Sequence, residues 1–307
     1  LVSVAESPLC ATAAVSAVLA TREAHLRLYG AIGGTRASGA PNLHTMLGIT
    51  RPGPGLGGFL DHEASTLGDV ALPIAAAPNL FLVPGSARVG AANINAGQKL
   101  RLLRAIAKLS GDVVIVDVGA GTSWNTIDLV AAADLKLIVM TPQLTSIQNA
   151  YAFLKTMVQR LVRRLPEDAA TRRALEARLT GDGETRPVQA VVADLRESDP
   201  LLADRLIDVL ARLGVMLVGN MLTGPGDVAV FDRMAAMISD YLMVRTRVIA
   251  ALPLSEAVRK SIDHRQPIAA ARGQAETQAE LRRLARAVLD VDIRALRTVA
   301  RSGLPDR

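Results

Sequence analysis

The sequence is poor in cysteine, aromatic residues and long apolar runs. Cys10 is its one cysteine, which excludes a framework of disulfides within the chain and is typical of a reducing compartment. Aromatic residues make up 3% of the chain, so little material is present for stacking nucleic-acid bases, and aliphatic side chains must build most of the core. No apolar run reaches the roughly 18 residues that a membrane span needs. Because the first residues also lack the charged region of a signal peptide, we expect a cytoplasmic protein.

Lysine is scarce as well, although the chain is basic overall. Lysine and arginine together number 35 against 29 acidic residues, which gives a formal net charge of +6 and a sequence pI of about 10.0. Lys99 is the first lysine of the chain, so arginine supplies nearly all of the positive charge. A basic balance permits an anionic partner such as nucleic acid or a lipid surface. We do not expect nucleic acid, because an arginine-rich composition alone produces this charge.

Short runs rich in Val, Ile and Leu alternate with helical patterns along the chain. This alternation is typical of βαβ units and a buried parallel sheet. We therefore predict a single α/β domain with a doubly wound, mostly parallel sheet of seven or eight strands. The candidate strands are residues 1–5, 26–29, 80–84, 113–116, 135–140, 188–193, 216–219 and 248–252. The predicted helices include residues 96–109, 146–165 and 200–213, with Thr145 and Gln148 as a capping box for the second.

Residues 1–270 are predicted to form the main domain, and residues 271–307 an arginine-rich amphipathic helix and tail. Within the main domain, residues 30–41 and 51–58 have the composition of loops, and residues 166–187 that of a surface insertion. The C-terminal stripe consists of Arg283, Arg286, Asp290, Arg294, Arg297 and Arg301, opposite Leu281, Leu284, Val288, Ala295 and Val299. Because Asp292 interrupts the apolar face, docking onto the domain or a partner is favoured. Peripheral contact of residues 281–301 with an anionic membrane is the alternative.

The strongest chemical motif lies at residues 113–121, Val-Val-Ile-Val-Asp-Val-Gly-Ala-Gly. An apolar strand that ends in Asp117 and runs into a glycine-rich turn places a carboxylate at the carboxyl edge of the sheet. Backbone N–H groups at Gly119 and Gly121 can face anionic oxygens there, and the carboxylate can hold the water shell of Mg²⁺. The alternative is structural: Asp117 caps the following helix, and the glycines only form a tight turn.

Taken with its surroundings, this motif resembles the MinD/ParA family of ATPases, and in particular the branch that regulates flagellar number and placement. The resemblance covers about residues 42–270. It rests on segments 42–48, 82–86, 112–121, 141–151, 217–221, 252–259 and 265–267.

The resemblance assigns roles to four of these residues. It matches Asp117 to the Walker B carboxylate, Gly121 to the phosphate-sensing glycine, and Asn220 and Pro253 to the loops that hold adenine. It implies ATP or ADP with Mg²⁺ as ligands, a homodimer as the working form, and a protein partner.

The chain departs from the family where phosphate is bound. The family's Walker loop carries two lysines that neutralise the phosphate oxygens, but residues 6–12 read Glu-Ser-Pro-Leu-Cys-Ala-Thr. Glu6 would repel a triphosphate, and Pro8 lacks the N–H group that a phosphate cradle needs. Residues 29–39 contain no carboxylate either, although the family places aspartates there to position Mg²⁺ and water. We therefore expect ATP hydrolysis to be weak or lost.

Three explanations of this departure stay open. The chain is a pseudo-ATPase that retains the fold, its sequence between residues 6 and 41 is read in an altered frame, or phosphate binds elsewhere. The segment from Gly33 to Arg36 could cradle an anion through its N–H groups, although a loop is its simpler interpretation. Two functions follow: a nucleotide-dependent spatial regulator, or a non-catalytic scaffold for protein partners. Trp124, after the glycine-rich turn, is either a core residue or part of a dimer face.

Overall fold

A computed structural model describes residues 2–5, 28–30, 43–75, 77–85, 94–118, 122–179, 186–268, 271 and 273–291. The strands are β1 (Val2–Ala5), β2 (Leu28–Gly30), β3 (Leu72–Ile74), β4 (Ala77–Leu82), β5 (Val113–Val118), β6 (Leu135–Met140), β7 (Val215–Leu222) and β8 (Thr246–Pro253). They form one eight-stranded sheet in the order β3-β4-β2-β5-β1-β6-β7-β8. Neighbouring strands are parallel except β3 and β4, which are antiparallel. The predicted α/β class with a mostly parallel sheet is confirmed.

Helices connect the strands and cover the sheet. They are α1 (Leu43–Met46), α2 (Gly55–Leu60), α3 (Ala96–Ala107), α4 (Trp124–Ala131), α5 (Leu144–Arg164), α6 (Ala169–Leu179), α7 (Val188–Ser198), α8 (Pro200–Ala211), α9 (Pro225–Leu242), α10 (Glu256–Asp263) and α11 (Ala275–Leu289). A 3-10 turn, Gly68–Val70, precedes β3. No helix in the described ranges is long and apolar enough to cross a membrane.

Both faces of the sheet are buried. Successive residues of a strand point to opposite faces, and in β5 Val114 and Val116 join one apolar cluster whereas Ile115 joins the other. The first cluster contains side chains of α3, α4, α5 and α9, and the second contains side chains of α1 and α11. A parallel sheet needs helices on both faces, because its strands are apolar on both sides and both sides must be buried.

Helix α11 closes the second face by packing against β8. Its apolar residues Leu281, Leu284, Ala285 and Val288 are buried. On the other side of the helix, Arg283 is exposed and pairs with Glu280. The apolar face of this helix is therefore covered by the domain itself. The later part of the predicted amphipathic stripe, from residue 292 onward, lies outside the described residues.

One predicted strand, residues 188–193, is wrong. Residues 188–198 form helix α7, in which Val188, Val191, Val192 and Leu195 are buried. These positions follow the spacing of one helical face. A short apolar run does not by itself distinguish a buried strand from a buried helix, and the helix begins directly after Pro187, which acts as its N-cap.

The predicted capping box of Thr145 and Gln148 is also wrong. Helix α5 has Gln143 as its N-cap, with no side-chain cap. Instead, the Ser146 hydroxyl accepts a hydrogen bond of 3.0 Å from the N–H group of Thr141, the residue after β6. This bond ties the end of the strand to the first turn of the helix.

Three further segments refine the predicted outline. Strand β3 was not predicted, because three residues with Pro73 in the middle give no strand pattern. The predicted loop at 51–58 contains the start of α2. Residues 169–179, in the predicted surface insertion, form α6, whose Leu175 and Leu179 are buried. Residues 31–42, which include most of the predicted loop after β2, lie outside the described residues.

Candidate functional site

The candidate site lies at the carboxyl edge of the central strands. Asp117 is the penultimate residue of β5 and stands opposite Val4 of β1 in the parallel register. Thr141 follows β6, while Asn220 and Pro253 lie near the ends of β7 and β8. Because parallel strands end at the same edge, the fold brings these four residues to one side of the molecule. Ligands of open α/β sheets bind at this edge.

Asp117 is a carboxyl group in an unfavourable setting. Its side chain is partly buried, on the same face of β5 as Ile115. Burial raises the pKa of Asp117 to about 6, because a carboxylate loses its hydration when it leaves water. A nearby cation would lower this pKa, but burial is the only cause of the shift within the described structure. The group is therefore suited to bind a cation that arrives with a ligand.

The donor set fits a lightly held Mg²⁺ better than a metal bound by protein alone. The described residues contain no group of three His, Cys, Asp or Glu side chains that could hold a metal ion. Mg²⁺ is usually bound through one or two carboxylates, with waters and substrate phosphates as the other ligands. Asp117 supplies one carboxylate. The buried Oγ1 atom of Thr141 has no hydrogen-bond partner in the described part of the chain, so this edge also holds an unsatisfied hydroxyl.

A β-bulge positions Asn220. Gly219 pairs with Ala251 and Leu222 with Pro253, so Asn220 and Met221 together oppose the single residue Leu252. Met221 adopts φ 60°, a left-handed conformation that is uncommon for residues other than glycine. The Asn220 Oδ1 atom accepts a hydrogen bond of 3.0 Å from the Met221 N–H group. Within the described part of the chain the amide NH₂ group donates no hydrogen bond, and β-bulges are frequent where a side chain is directed toward a site.

Gly219 allows α9 to pack close behind this bulge. A Cβ atom at Gly219 would lie 2.5 Å from the Phe231 ring, and Phe231 is fully buried in the first apolar cluster. The absence of a side chain at Gly219 therefore lets the ring contact the backbone of β7 directly. This contact fixes the position of the strand one residue before Asn220.

Pro253 lies exposed at the end of β8. The N–H group of the next residue, Leu254, donates a hydrogen bond of 2.9 Å to the Leu222 carbonyl group. This bond keeps the ends of β7 and β8 together after the bulge. Asn220 and Pro253 thus lie near the ends of adjacent strands, and their role in holding a base stays a prediction.

Other predicted site residues lie outside the described residues. These are Gly119 and Gly121 of the glycine-rich turn, residues 6–12 in place of the Walker loop, and Gly33 to Arg36. Their roles stay predictions.

An ionic cluster between α3, α4 and α5 was not predicted. Asp128 of α4 is 6% exposed and accepts hydrogen bonds from Lys99 at 2.5 Å and from Arg160 at 2.5 and 2.8 Å. Arg164 lies 3.0 Å from the same carboxylate. Burial alone would raise the pKa of Asp128, but the bonds from Arg160 and Lys99 and the charge of Arg164 lower it to about 2. The one sequence signal was an acid inside the apolar run from Ile127 to Val130.

Trp124 belongs to the same cluster. The Arg160 guanidinium lies 4.4 Å from the centroid of its ring, a distance typical of a cation–π interaction. The side chain is 51% exposed. Trp124 is therefore not a core residue, and its place in a dimer face stays a prediction.

The described elements form an α/β fold with a mostly parallel sheet that is shared with known proteins. Solved structures of similar fold include the MinD protein in a MinC:MinD cell division complex from Aquifex aeolicus (16% identity, 94% of this chain and 95% of that chain, TM-score 0.57). A cell division ATPase MinD from Pyrococcus furiosus is 15% identical over 94% and 97% of the two chains, with a TM-score of 0.58. A ParA family ATPase from Chlorobium tepidum is 16% identical over 94% and 99%, with a TM-score of 0.59.

No family model and no curated protein matches the sequence. At these identities the structural likeness establishes the fold. The chain thus has the fold of the MinD and ParA-type ATPases over nearly its whole length.

Proposed function

We propose that the chain is a MinD/ParA-like spatial regulator that binds ATP with Mg²⁺ and acts as a nucleotide-dependent dimerisation switch. The observation that carries this proposal is Asp117, a partly buried carboxyl group with a raised pKa at the end of β5, where this fold places ligands. Flagellar number or placement of another polar structure is the process that the sequence resemblance favours.

Mg²⁺ would act on Asp117 by electrostatics. A divalent ion offsets the desolvation of the carboxylate, and it shields the phosphate charges of the nucleotide at the same time. The Asn220 amide on the neighbouring bulge would donate hydrogen bonds to the base, with Pro253 on the other side. The carboxylate, the amide and the unsatisfied Thr141 hydroxyl then face one ligand.

We propose further that hydrolysis is weak or lost. Residues 6–12 contain no lysine, and Lys99, the first lysine of the chain, is held by Asp128 at 2.5 Å. Lys99 is therefore unable to replace a Walker lysine without breaking the ionic cluster. Phosphoryl transfer depends mainly on positioning and charge neutralisation, so a chain without this lysine would bind nucleotide more readily than it would cleave it.

Exposed apolar side chains near the carboxyl edge support a protein partner or a second copy of the chain. Leu144 at the start of α5 is 69% exposed, and Leu254 after β8 is 59% exposed. Contiguous exposed apolar patches are typical of interaction surfaces, and we propose that Leu144 and Leu254 belong to one. Among the proteins of similar fold, one MinD is in complex with MinC. We propose that the present chain also binds a protein partner.

Binding of a fluorescent ATP analogue tests the switch. We expect saturable binding that needs Mg²⁺, is abolished by EDTA, and weakens at least tenfold in Asp117→Ala. The matched control is Asp232→Ala, an exposed acid on α9, which should leave binding unchanged. Turnover of ATP that Asp117→Ala abolishes would show that hydrolysis is retained and would refute that part of the proposal.

The second candidate is a constitutive scaffold that uses the fold without nucleotide. The exposed Leu144 and Leu254 favour it as much as they favour the switch. Absence of analogue binding at high micromolar concentration, with the protein folded by circular dichroism, would select the scaffold.

A further inference from the structure

A cavity lies away from the candidate nucleotide site. It occupies about 680 Å³ between α3 and the segment from Ser65 to Gly68, a size typical of sites for small organic molecules. Lys108 and Ser110 line it just before β5 begins at Val113. Asp117 lies four residues further along that strand, about 13 Å away at a rise of 3.3 Å per residue. The basic end of the cavity is therefore at the opposite end of β5 from Asp117.

Three cations line this cavity, and no acid does so among its described lining residues. Arg101, Arg104 and Lys108 lie at helical spacings of three and four residues, on one face of α3 and its C-cap. Like charges at these spacings repel each other. Neither Arg104 nor Lys108 forms an ion pair within the described part of the chain. An anion in the cavity would remove this repulsion.

Arg101 is held in place by neutral groups. Its Nη1 atom donates a hydrogen bond of 2.7 Å to the Phe59 carbonyl group, and its guanidinium lies 4.2 Å from the centroid of the Phe59 ring. Carbonyl groups orient a guanidinium without cancelling its charge. Asp69, directly after the facing segment, accepts a hydrogen bond of 2.8 Å from the Thr66 N–H group and forms no ion pair with Arg101. Arg101 therefore presents a fixed positive charge beside two exposed ones.

The remaining walls are apolar or carry hydroxyl groups. Phe59 and Leu67 are buried and form the inner side, whereas Leu100 is 42% exposed at the rim. Hydroxyl groups of Ser65 and Ser110 also line the cavity. A ligand that matches these cationic, apolar and hydroxyl-bearing residues has a strongly anionic group and an apolar body. Two free cations beside a fixed guanidinium match the double charge of a phosphomonoester.

We propose that this cavity binds a phosphomonoester with an apolar body. The phosphate contacts Arg104 and Lys108, and the apolar body lies against Phe59 and Leu100. The site is independent of the nucleotide proposed at Asp117, since its residues lie on α3 and the α2–β3 segment. A soluble small molecule and a lipid headgroup share this chemistry.

The test uses the full chain and 1-naphthyl phosphate as probe, with binding measured by titration calorimetry. We expect binding at least tenfold tighter than that of inorganic phosphate, and none of 1-naphthol. Arg104→Glu and Lys108→Glu should each weaken it tenfold or more. Arg233→Glu, which makes the same charge change at an exposed position of α9, should alter it less than twofold. Circular dichroism checks that each variant is folded.

A second arm separates the two sources of the phosphate. Vesicles of phosphatidylcholine with phosphatidic acid are sedimented with wild type and variants. Sedimentation that needs Arg104 and Lys108 but not Arg233, without binding of 1-naphthyl phosphate, assigns the site to a lipid headgroup. Absence of both interactions overturns the proposal. Equal weakening by Arg104→Glu and Arg233→Glu also overturns it, because the attraction would then depend on net charge alone.

Discussion

Asp117 and Asp128 are two carboxyl groups on consecutive elements, and their surroundings are opposite. Asp128 is surrounded by Lys99, Arg160 and Arg164, and its pKa falls to about 2. Asp117 is partly buried, no cation of the described residues compensates for this burial, and its pKa rises to about 6. Buried charges that are fully paired usually join elements of the fold, whereas an unpaired one costs free energy. Asp128 is therefore a structural acid, whereas Asp117 is a candidate ligand-binding acid.

The largest effect is expected at Asp128. Asp128→Asn leaves three cations around a neutral amide, and we expect it to lower the free energy of unfolding by roughly 3 kcal/mol. Urea denaturation at pH 7 measures this loss. The control Asp232→Asn, at an exposed site of α9, should change stability by less than about 0.5 kcal/mol. A loss below about 1 kcal/mol for Asp128→Asn would mean that the cluster does not hold α3, α4 and α5 together.

Asp117→Asn should instead raise the free energy of unfolding. With its pKa raised to about 6 in the folded state, Asp117 contributes stability that is fully present below its unfolded pKa and is lost as the pH rises through 6. Without nucleotide or Mg²⁺, we expect Asp117→Asn to be more stable than wild type by about 2 kcal/mol at pH 8. The difference should vanish near pH 4. An equal difference at both pH values would refute the link to ionisation.

The free energy of unfolding, measured over the same pH range, also distinguishes Asp128 from Asp117. Because its pKa is lowered to about 2, its contribution is present above the unfolded pKa and is lost as the pH falls toward 2. The deficit of Asp128→Asn should therefore persist at pH 8 and shrink only below about pH 4. Two acids in one fold would then destabilise it in separate pH windows.

The smallest effect is expected from Arg160→Lys. Lysine keeps the charge but loses the two-point contact with Asp128 and the flat stacking on Trp124. We expect a loss of about 1 kcal/mol, with a shift in tryptophan fluorescence, since Trp124 is the one tryptophan of the chain. Arg233→Lys serves as control. Unchanged fluorescence would contradict the contact between Arg160 and the ring.

The sequence alone predicts the position of Asp117 at the edge of the sheet. It does not predict the ion pairs of Asp128. Asp117 ends an apolar strand, and the rule that strand ends meet at one edge places it without further information. The partners of Asp128 lie 29, 32 and 36 residues away in the chain. No local pattern connects them, because the contact arises only when α3, α4 and α5 pack side by side.

In the fold as well, elements with a clear local pattern are predicted from the sequence, whereas features that depend on tertiary contacts are not. Strand β6 was predicted with its observed bounds, Leu135–Met140, because five of its six consecutive residues are apolar, which gives a clear signal. Residues 188–193 were assigned to a strand, since their apolar run is too short to separate the two periodicities. The bulge at Asn220 and Met221 depends on pairing with β8, so the position of the Asn220 amide could not be predicted from the sequence.

The packing of α11 on β8 has a consequence for biosynthesis. A ribosome that has released residues up to about 253 has delivered all eight strands, but the second face of the sheet still lacks Leu281, Leu284 and Val288. Until those residues emerge, the part of this apolar face that α11 covers is exposed to water or to a chaperone. The second face of the sheet is therefore completed only after α11 has been synthesised.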